Sequence, residues 1–164
     1  MMDLVVRAPR LPVIGESLLS HSFRTSPGGK GGNQAIAAAR LGASVTMIGQ
    51  VGADRFGEIL RERLEAEGVD TRFVSVDPEL GTGVAVPIVL DSGENAILAV
   101  PQANLALSSL LIERARDVIS SAGMLLVQFE VNMDATLAAM RLAEAARVPI
   151  LLNPAPVAPY PPGT

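Results

Sequence analysis

The sequence predicts an α/β protein, with helices layered on a sheet and a small separate β sheet attached. Three observations carry this. Segments of helical and strand period alternate between residues 34 and 76. Two later strand candidates, Met124–Phe129 and Pro149–Leu152, are apolar with little polar alternation, as strands covered on both faces are. A short turn, Asp91–Glu94, joins two further strand candidates and breaks the alternation, so these form a hairpin and not a crossover.

The elements follow in order. Leu4–Val6 is a brief strand running into a loop at Pro9 and Pro12, Gly15–Ser17 is a turn, and Leu18–Phe23 is a second short strand. Gln34–Leu41 is an alanine-rich helix with Asn33 as its N-cap and Gly42 as its stop. Ser44–Ile48 is rich in β-branched residues and reads as a strand, followed by a loop at Gly49–Ala53. Asp54 caps the helix Arg55–Glu67, whose buried stripe is Phe56, Ile59, Leu60 and Leu64, and Gly68 ends it. Arg72–Val76 is the next strand. Gly83–Leu90 and Asn95–Val100 form the hairpin, which with the N-terminal strands makes the separate sheet. Ser108 or Ser109 caps a helix to about Ser121, and Asn132 or Asp134 starts another to Arg147. Asn153-Pro154-Ala155-Pro156 ends regular structure, and residues 157–164 read as a proline-rich linker cut short.

Composition bounds the function. At 164 residues, 49% hydrophobic and 18% charged, the chain has the length of one domain and enough apolar content for a core. A net charge of −4 offers no basic surface for nucleic acid. Without cysteine there is neither a disulfide framework nor a thiolate site, and a single histidine, His21, excludes a multi-histidine metal cage. No apolar run reaches membrane-spanning length and no signal-peptide core is present, which gives a cytoplasmic reading with no membrane partner.

Chemistry concentrates between Pro27 and Gly57. Gly28, Gly29, Lys30, Gly31 and Gly32 permit positive φ and close backbone approach, and a helix follows at once. The loop thus aims N–H groups and the positive end of a helix dipole at one point, where hydroxyls or an anion can sit. It is not a P-loop, because Gly31 follows Lys30 and Arg24 stands at the first glycine position. Nor is it a dinucleotide fingerprint, which would need glycine at Gln34. Glu130 directly follows a buried strand, an address where open α/β sheets bind ligands, although the helix dipole alone also favours a carboxylate there. Asn153 ends another such strand. From the residues alone Asp3 is a solvated terminal charge, Lys30 a solvated lysine, Asp54 an N-cap and His21 an exposed loop residue.

Gly28, Gly29, Gly31, Asn33 and Ala35, with Gly42 and Gly52 at their spacings, resemble the first signature of the PfkB carbohydrate kinase family. Gly29-Lys30-Gly31-Gly32-Asn33-Gln34-Ala35, Gln128-Phe129-Glu130 and Leu152-Asn153-Pro154 are similar to the ribokinase branch in particular. The resemblance implies a ribokinase-like layered α/β fold with a β lid, represented by residues 1–164 only as an N-terminal, sugar-binding part. The lid strands lie at about 3–27 and 83–101. It implies substrate-binding roles for Asp3, Gly29, Lys30, Asn33 and Glu130, and a further contact from Asn153. The full enzyme would phosphorylate D-ribose at O5 with ATP and Mg2+, with a monovalent cation as a further ligand, and would dimerise through the lid.

Two parts of the family pattern are missing. The buried strand that opens family members, with its Gly-Ser-x-Asn-x-Asp phrase, is reduced to Asp3, and an absent interior strand leaves its neighbours' edges and apolar faces exposed. The Gly-Ala-Gly-Asp turn that supplies the base, and an Asn-x-x-Glu element for magnesium, are absent; Gly52-Ala53-Asp54 lies inside the first signature. The chain thus carries no catalytic residue and no metal site, and no turnover is expected from it alone. Gln102, Ser109 and Gly32 also depart from the usual glycine, proline and alanine. Alternatives are a PfkB kinase for fructose, a nucleoside or another sugar, and a non-catalytic sugar-binding or dimerising remnant. A dinucleotide-binding oxidoreductase is disfavoured by the failed fingerprint.

Overall fold

The computed structural model describes residues 1–157, so all but Val157 of the expected linker lies outside the described residues. A four-stranded sheet has the order β2-β1-β5-β6, from β1 (Met2–Ala8), β2 (Ser22–Pro27), β5 (Val84–Leu90) and β6 (Asn95–Val100). β1 pairs antiparallel with β2 and parallel with β5, and β5 and β6 are the expected hairpin. The second strand is not Leu18–Phe23. It starts at Ser22, because its ladder to β1 runs from Met2↔Pro27 to Arg7↔Ser22. β2 is almost wholly exposed and holds its place through backbone bonds, so it carries no apolar alternation to read.

The layered part holds two parallel strand pairs. β3 (Thr46–Gly52) pairs with β4 (Asp70–Asp77), and β7 (Leu125–Gln128) pairs with β8 (Ile150–Asn153). β3 runs through the stretch expected as a loop at Gly49–Ala53, since bonds to Val74–Asp77 continue the ladder. Helix α1 (Lys30–Arg40) starts four residues earlier than expected. Gly29, at φ 82°, occupies the N-cap, and Asn33 lies inside the helix. Helix α2 (Arg55–Ala66) is capped by Asp54, which accepts from the Gly57 amide, and Leu60 and Leu64 are buried.

The long helix expected after Ser108 is two short ones, α4 (Ser109–Arg114), capped by Ser108, and α5 (Arg116–Ser120), and an unexpected short helix, α3 (Ala103–Ala106), precedes them. Helix α6 (Met133–Ala145), capped by Asn132, packs on α4 and α5. Leu107, Ile112, Ile119, Leu142 and Val148 form the main core there, joined by Ile48 and Phe73 from the β3–β4 pair. A second cluster, Met2, Val51, Leu60 and Val74, ties the four-stranded sheet to β3 and α2. Each such fully buried aliphatic side chain contributes about 1.5–3 kcal/mol.

The two parallel pairs do not join. Between β3 and β7 lies a cavity of about 810 Å³, lined by Met47, Ile48 and Val51 on one side and Leu125, Leu126 and Val127 on the other. Gln50 Oε1, also on its wall, is buried without a hydrogen-bond partner. This is the exposed edge and apolar face expected from a missing interior strand.

Candidate functional site

The glycine loop, the start of β1 and the turn after β7 converge at one end of that cavity. Chain folding brings Lys30 and Glu130 together across 100 residues of sequence. The Lys30 backbone N–H donates to Glu130 Oε2 at 2.6 Å, and Lys30 Nζ donates to Oε1 at 2.8 Å. Glu130 therefore occupies the anion position at the N-terminus of α1, where the first-turn amides lack helical partners. Lys30 meets this carboxylate and is not merely solvated.

Asp3 lies against the same loop. A side-chain carbon at Gly28 would overlap the Asp3 carboxylate, and one at Gly29 would lie 2.9 Å from the Met1 amine and 3.7 Å from Glu130 Oε2. Gly28 is thus required by close approach, and Gly29 by close approach together with its φ of +82°. The Gly28 amide donates to the Met1 carbonyl at 3.0 Å, locking the loop to β1.

The charges perturb one another. Burial pushes the Asp3 carboxyl above its ordinary value; the Met1 amine pulls it down, Glu130 adds to the rise, and Lys30 and Arg24 oppose it. Burial lowers the Met1 amine against the pull of Glu130 and Asp3. The cluster is a set of carboxylate acceptors and N–H donors beside a half-buried cavity. That donor and acceptor mixture is what a polyhydroxylated ligand requires.

The predicted residues separate into two groups. Asp3, Gly29, Lys30 and Glu130 come together. Asn33, exposed on the first turn of α1, lines the same cavity without joining the ion pair. Asn153 sits beside Gln128 at the end of β8 and does not line the cavity. His21 reaches Asp91 at 3.2 Å on the exposed surface, away from the cluster.

Three polar side chains escaped the residue-level reading. Asn104 Nδ2 donates to the Glu130 carbonyl at 3.2 Å and fixes that turn. Gln128 Nε2 donates to Gln34 Oε1, bridging β7 to α1. A lone asparagine within the apolar stretch Ala103–Leu107 was the available signal for the first; the glutamine pair had none. Among the described residues no group of three or more Asp, Glu or His side chains could hold a metal ion. No described helix is long and apolar enough to cross a membrane.

Residues 1–160 match the pfkB family carbohydrate kinases. The chain is 40% identical to a ribokinase of Bacillus subtilis over 158 residues, covering 96% of this chain and 54% of that relative. It superposes on the structure of ribokinase from Giardia lamblia with a TM-score of 0.86 and 30% identity, covering 96% of this chain and 53% of that one. For Arabidopsis thaliana ribokinase complexed with ribose and ATP the TM-score is 0.83 at 30% identity, covering 92% and 49%. The chain spans about half the length of the curated relatives it matches. By its glycine loop, its fold and these matches, the chain belongs to the pfkB family of carbohydrate kinases.

Proposed function

We propose that this chain is the sugar-holding part of a ribokinase, and that the whole enzyme transfers the γ-phosphoryl of ATP to O5 of D-ribose. The observation that carries this is the convergence of Lys30, Glu130 and Asp3 on one glycine loop, from three distant stretches of sequence. Ribose offers only hydroxyls and ring oxygen. Asp3 and Glu130 accept from hydroxyls, the Gly29 N–H and the Lys30 ammonium donate to oxygens, and the Asn33 amide does both.

The four-stranded sheet is the lid in this reading, with strands at about residues 3–27 and 83–101. It carries Asp3 and would close over the sugar to exclude water. β6 is an edge strand with exposed Ile97, Leu98 and Val100, which supports pairing with a second copy. The base, nucleotide pocket, magnesium and any monovalent-cation site lie in chain beyond this one, so the reading assigns this chain binding and orientation of the sugar but no turnover. A kinase for fructose or a nucleoside uses similar acceptors and is the nearest alternative; the ribokinase matches favour ribose. A cytoplasmic location follows from the same reading.

Calorimetric titration with D-ribose, D-fructose, adenosine and ATP tests it. Ribose binding without ATP binding is expected, with Asp3→Asn and Glu130→Gln each weakening it by about tenfold or more. Absence of binding to any sugar, or ADP formation by the purified chain, would overturn the reading.

A further inference from the structure

Asp54 does more than cap a helix. Its Oδ1 accepts from the Gly57 amide at 2.9 Å and from Thr82 Oγ1 at 2.7 Å, while Oδ2 accepts from the Thr82 amide at 2.7 Å. Thr82 Oγ1 in turn accepts from the Gly52 amide at 2.9 Å, and the Thr82 carbonyl accepts from Gln102 Nε2 at 2.9 Å. One carboxylate and one threonine, itself only 1% exposed, thus connect the end of β3, the start of α2, the start of β5 and the end of β6. The next residue extends the connection to β1, because the Gly83 carbonyl accepts from the Met2 amide at 2.8 Å, one residue before Asp3.

The packing is equally tight. A side-chain carbon at Gly52 would fall 2.5 Å from the Leu80 carbonyl oxygen and 2.5 Å from the Thr82 nitrogen. One at Gly83 would fall 2.6 Å from the Pro101 carbonyl oxygen, and one at Gly81 2.7 Å from Gln102 Oε1. Bare backbone is what lets the strands crowd around Thr82. Gln102 itself has φ +44°, a region that favours glycine, and its side-chain bond to Thr82 accompanies that strained conformation.

We infer that the Asp54–Thr82 pair is the joint that sets the four-stranded sheet on the layered body, and that Asp54 is thereby a positioning residue for Asp3 at the sugar. The route is short: Asp54 holds Thr82, Gly83 holds Met2, and Asp3 follows on the same strand. Only the affinity part of the inference rests on the sugar reading.

The test uses the full chain with Asp54→Asn, Thr82→Val and Thr82→Ser, followed by hydrogen–deuterium exchange and D-ribose titration. Asparagine caps a helix as well as aspartate does, but its amide would set a donor against the Thr82 N–H. Valine keeps the shape of threonine and removes the hydroxyl. Expected for both is exchange about tenfold faster in Met2–Ala8 and Val84–Leu90, with Met133–Ala145 within about twofold of the parent. Ribose Kd rises about fivefold or more in both, and Thr82→Ser restores parental exchange and affinity. Unchanged exchange in the sheet, or equal acceleration in α6, overturns the joint, the latter because it signals general destabilisation. Should Asp54→Asn fail to fold, Thr82→Val against Thr82→Ser decides. If the parent chain binds no ribose, the sugar reading fails while exchange still decides the joint.

Discussion

The Lys30–Glu130 contact can be measured directly by a double-mutant cycle. Lys30→Met removes the ammonium and keeps the stem. Glu130→Gln keeps the shape and turns one acceptor oxygen into a donor facing an N–H. Charge-assisted hydrogen bonds contribute about 1.5–3 kcal/mol when both groups are desolvated. Here the Glu130 side chain is 18% exposed but that of Lys30 is 38% exposed, so solvent screens the ammonium substantially. Its share falls to about 0.5–1 kcal/mol, and the backbone bond from Lys30 carries the rest. Glu130→Gln should therefore cost about 1–2 kcal/mol and Lys30→Met about 0.5–1 kcal/mol, with a coupling of about 1 kcal/mol between them. Urea unfolding of the four chains reads this, provided the denaturant slope stays constant across the set. In thermal melts the Glu130→Gln loss corresponds to a few degrees, at about 2–4 °C per kcal/mol for a chain of this size. Additivity within about 0.3 kcal/mol would refute the side-chain contact.

Three further outcomes follow from single positions. Gly32→Ala should raise stability by about 0.5–1 kcal/mol, because the residue lies in α1 and an added carbon meets nothing within 4 Å; a loss measured by urea unfolding would contradict the helix boundary. Gly29→Ala should instead cost about 1–2 kcal/mol, since φ is +82° and the new carbon sits 2.9 Å from the Met1 nitrogen; a neutral result would argue against the loop conformation. Asp3 has a folded-state value above the ordinary 3.8, so its burial as a carboxylate opposes folding at neutral pH. That cost is full above the raised value and disappears as pH falls to the unfolded value. Asp3→Asn should thus melt higher than the parent at neutral pH, with the gap closing as pH drops toward the ordinary aspartate range, while sugar affinity falls. A gap independent of pH would show that Asp3 titrates normally.

What could be read in the sequence was local. Helix α2 and the β5–β6 hairpin follow from a stripe at helical spacing and a four-residue turn, both complete within about 20 residues. β2 could not be read, because its polar side chains face solvent and the ladder to β1 alone defines it. The start of α1 was misplaced because Gly29 at positive φ did the capping that Asn33 was expected to do. At the site, only the family resemblance lifted Asp3 and Lys30 above surface charges. Asn104 and the Gln34–Gln128 pair depend on contacts across 26 and 94 residues that no spacing rule announces. Gln102 is the reverse case. Its departure from glycine looked minor in the sequence, and the structure places it at φ +44°, where the missing glycine would have cost least.

The slot between β3 and β7 gives the candidate site a second role. In a continuous parallel sheet, backbone ladders would join the two strand pairs. Here that continuity is interrupted, and the connections that join the pairs include packing of α1 on β3 and β7, apolar contacts of Ile48 and Phe73 with the α4–α6 core, and polar bridges at the carboxyl ends of the strands. Those bridges are Lys30 to Glu130 and Gln34 to Gln128, both from α1 to the end of β7 or the turn beyond it. The residues that would hold a sugar are thus the same ones that fasten one strand pair to the other. An apolar-lined cavity lies on that side in place of a strand ladder, so the polar bridges bear more of the docking than they would in a filled sheet. A ligand that bonded to Glu130 and Lys30 together would reinforce the same seam, and its occupancy would then be coupled to the cohesion of the layered body.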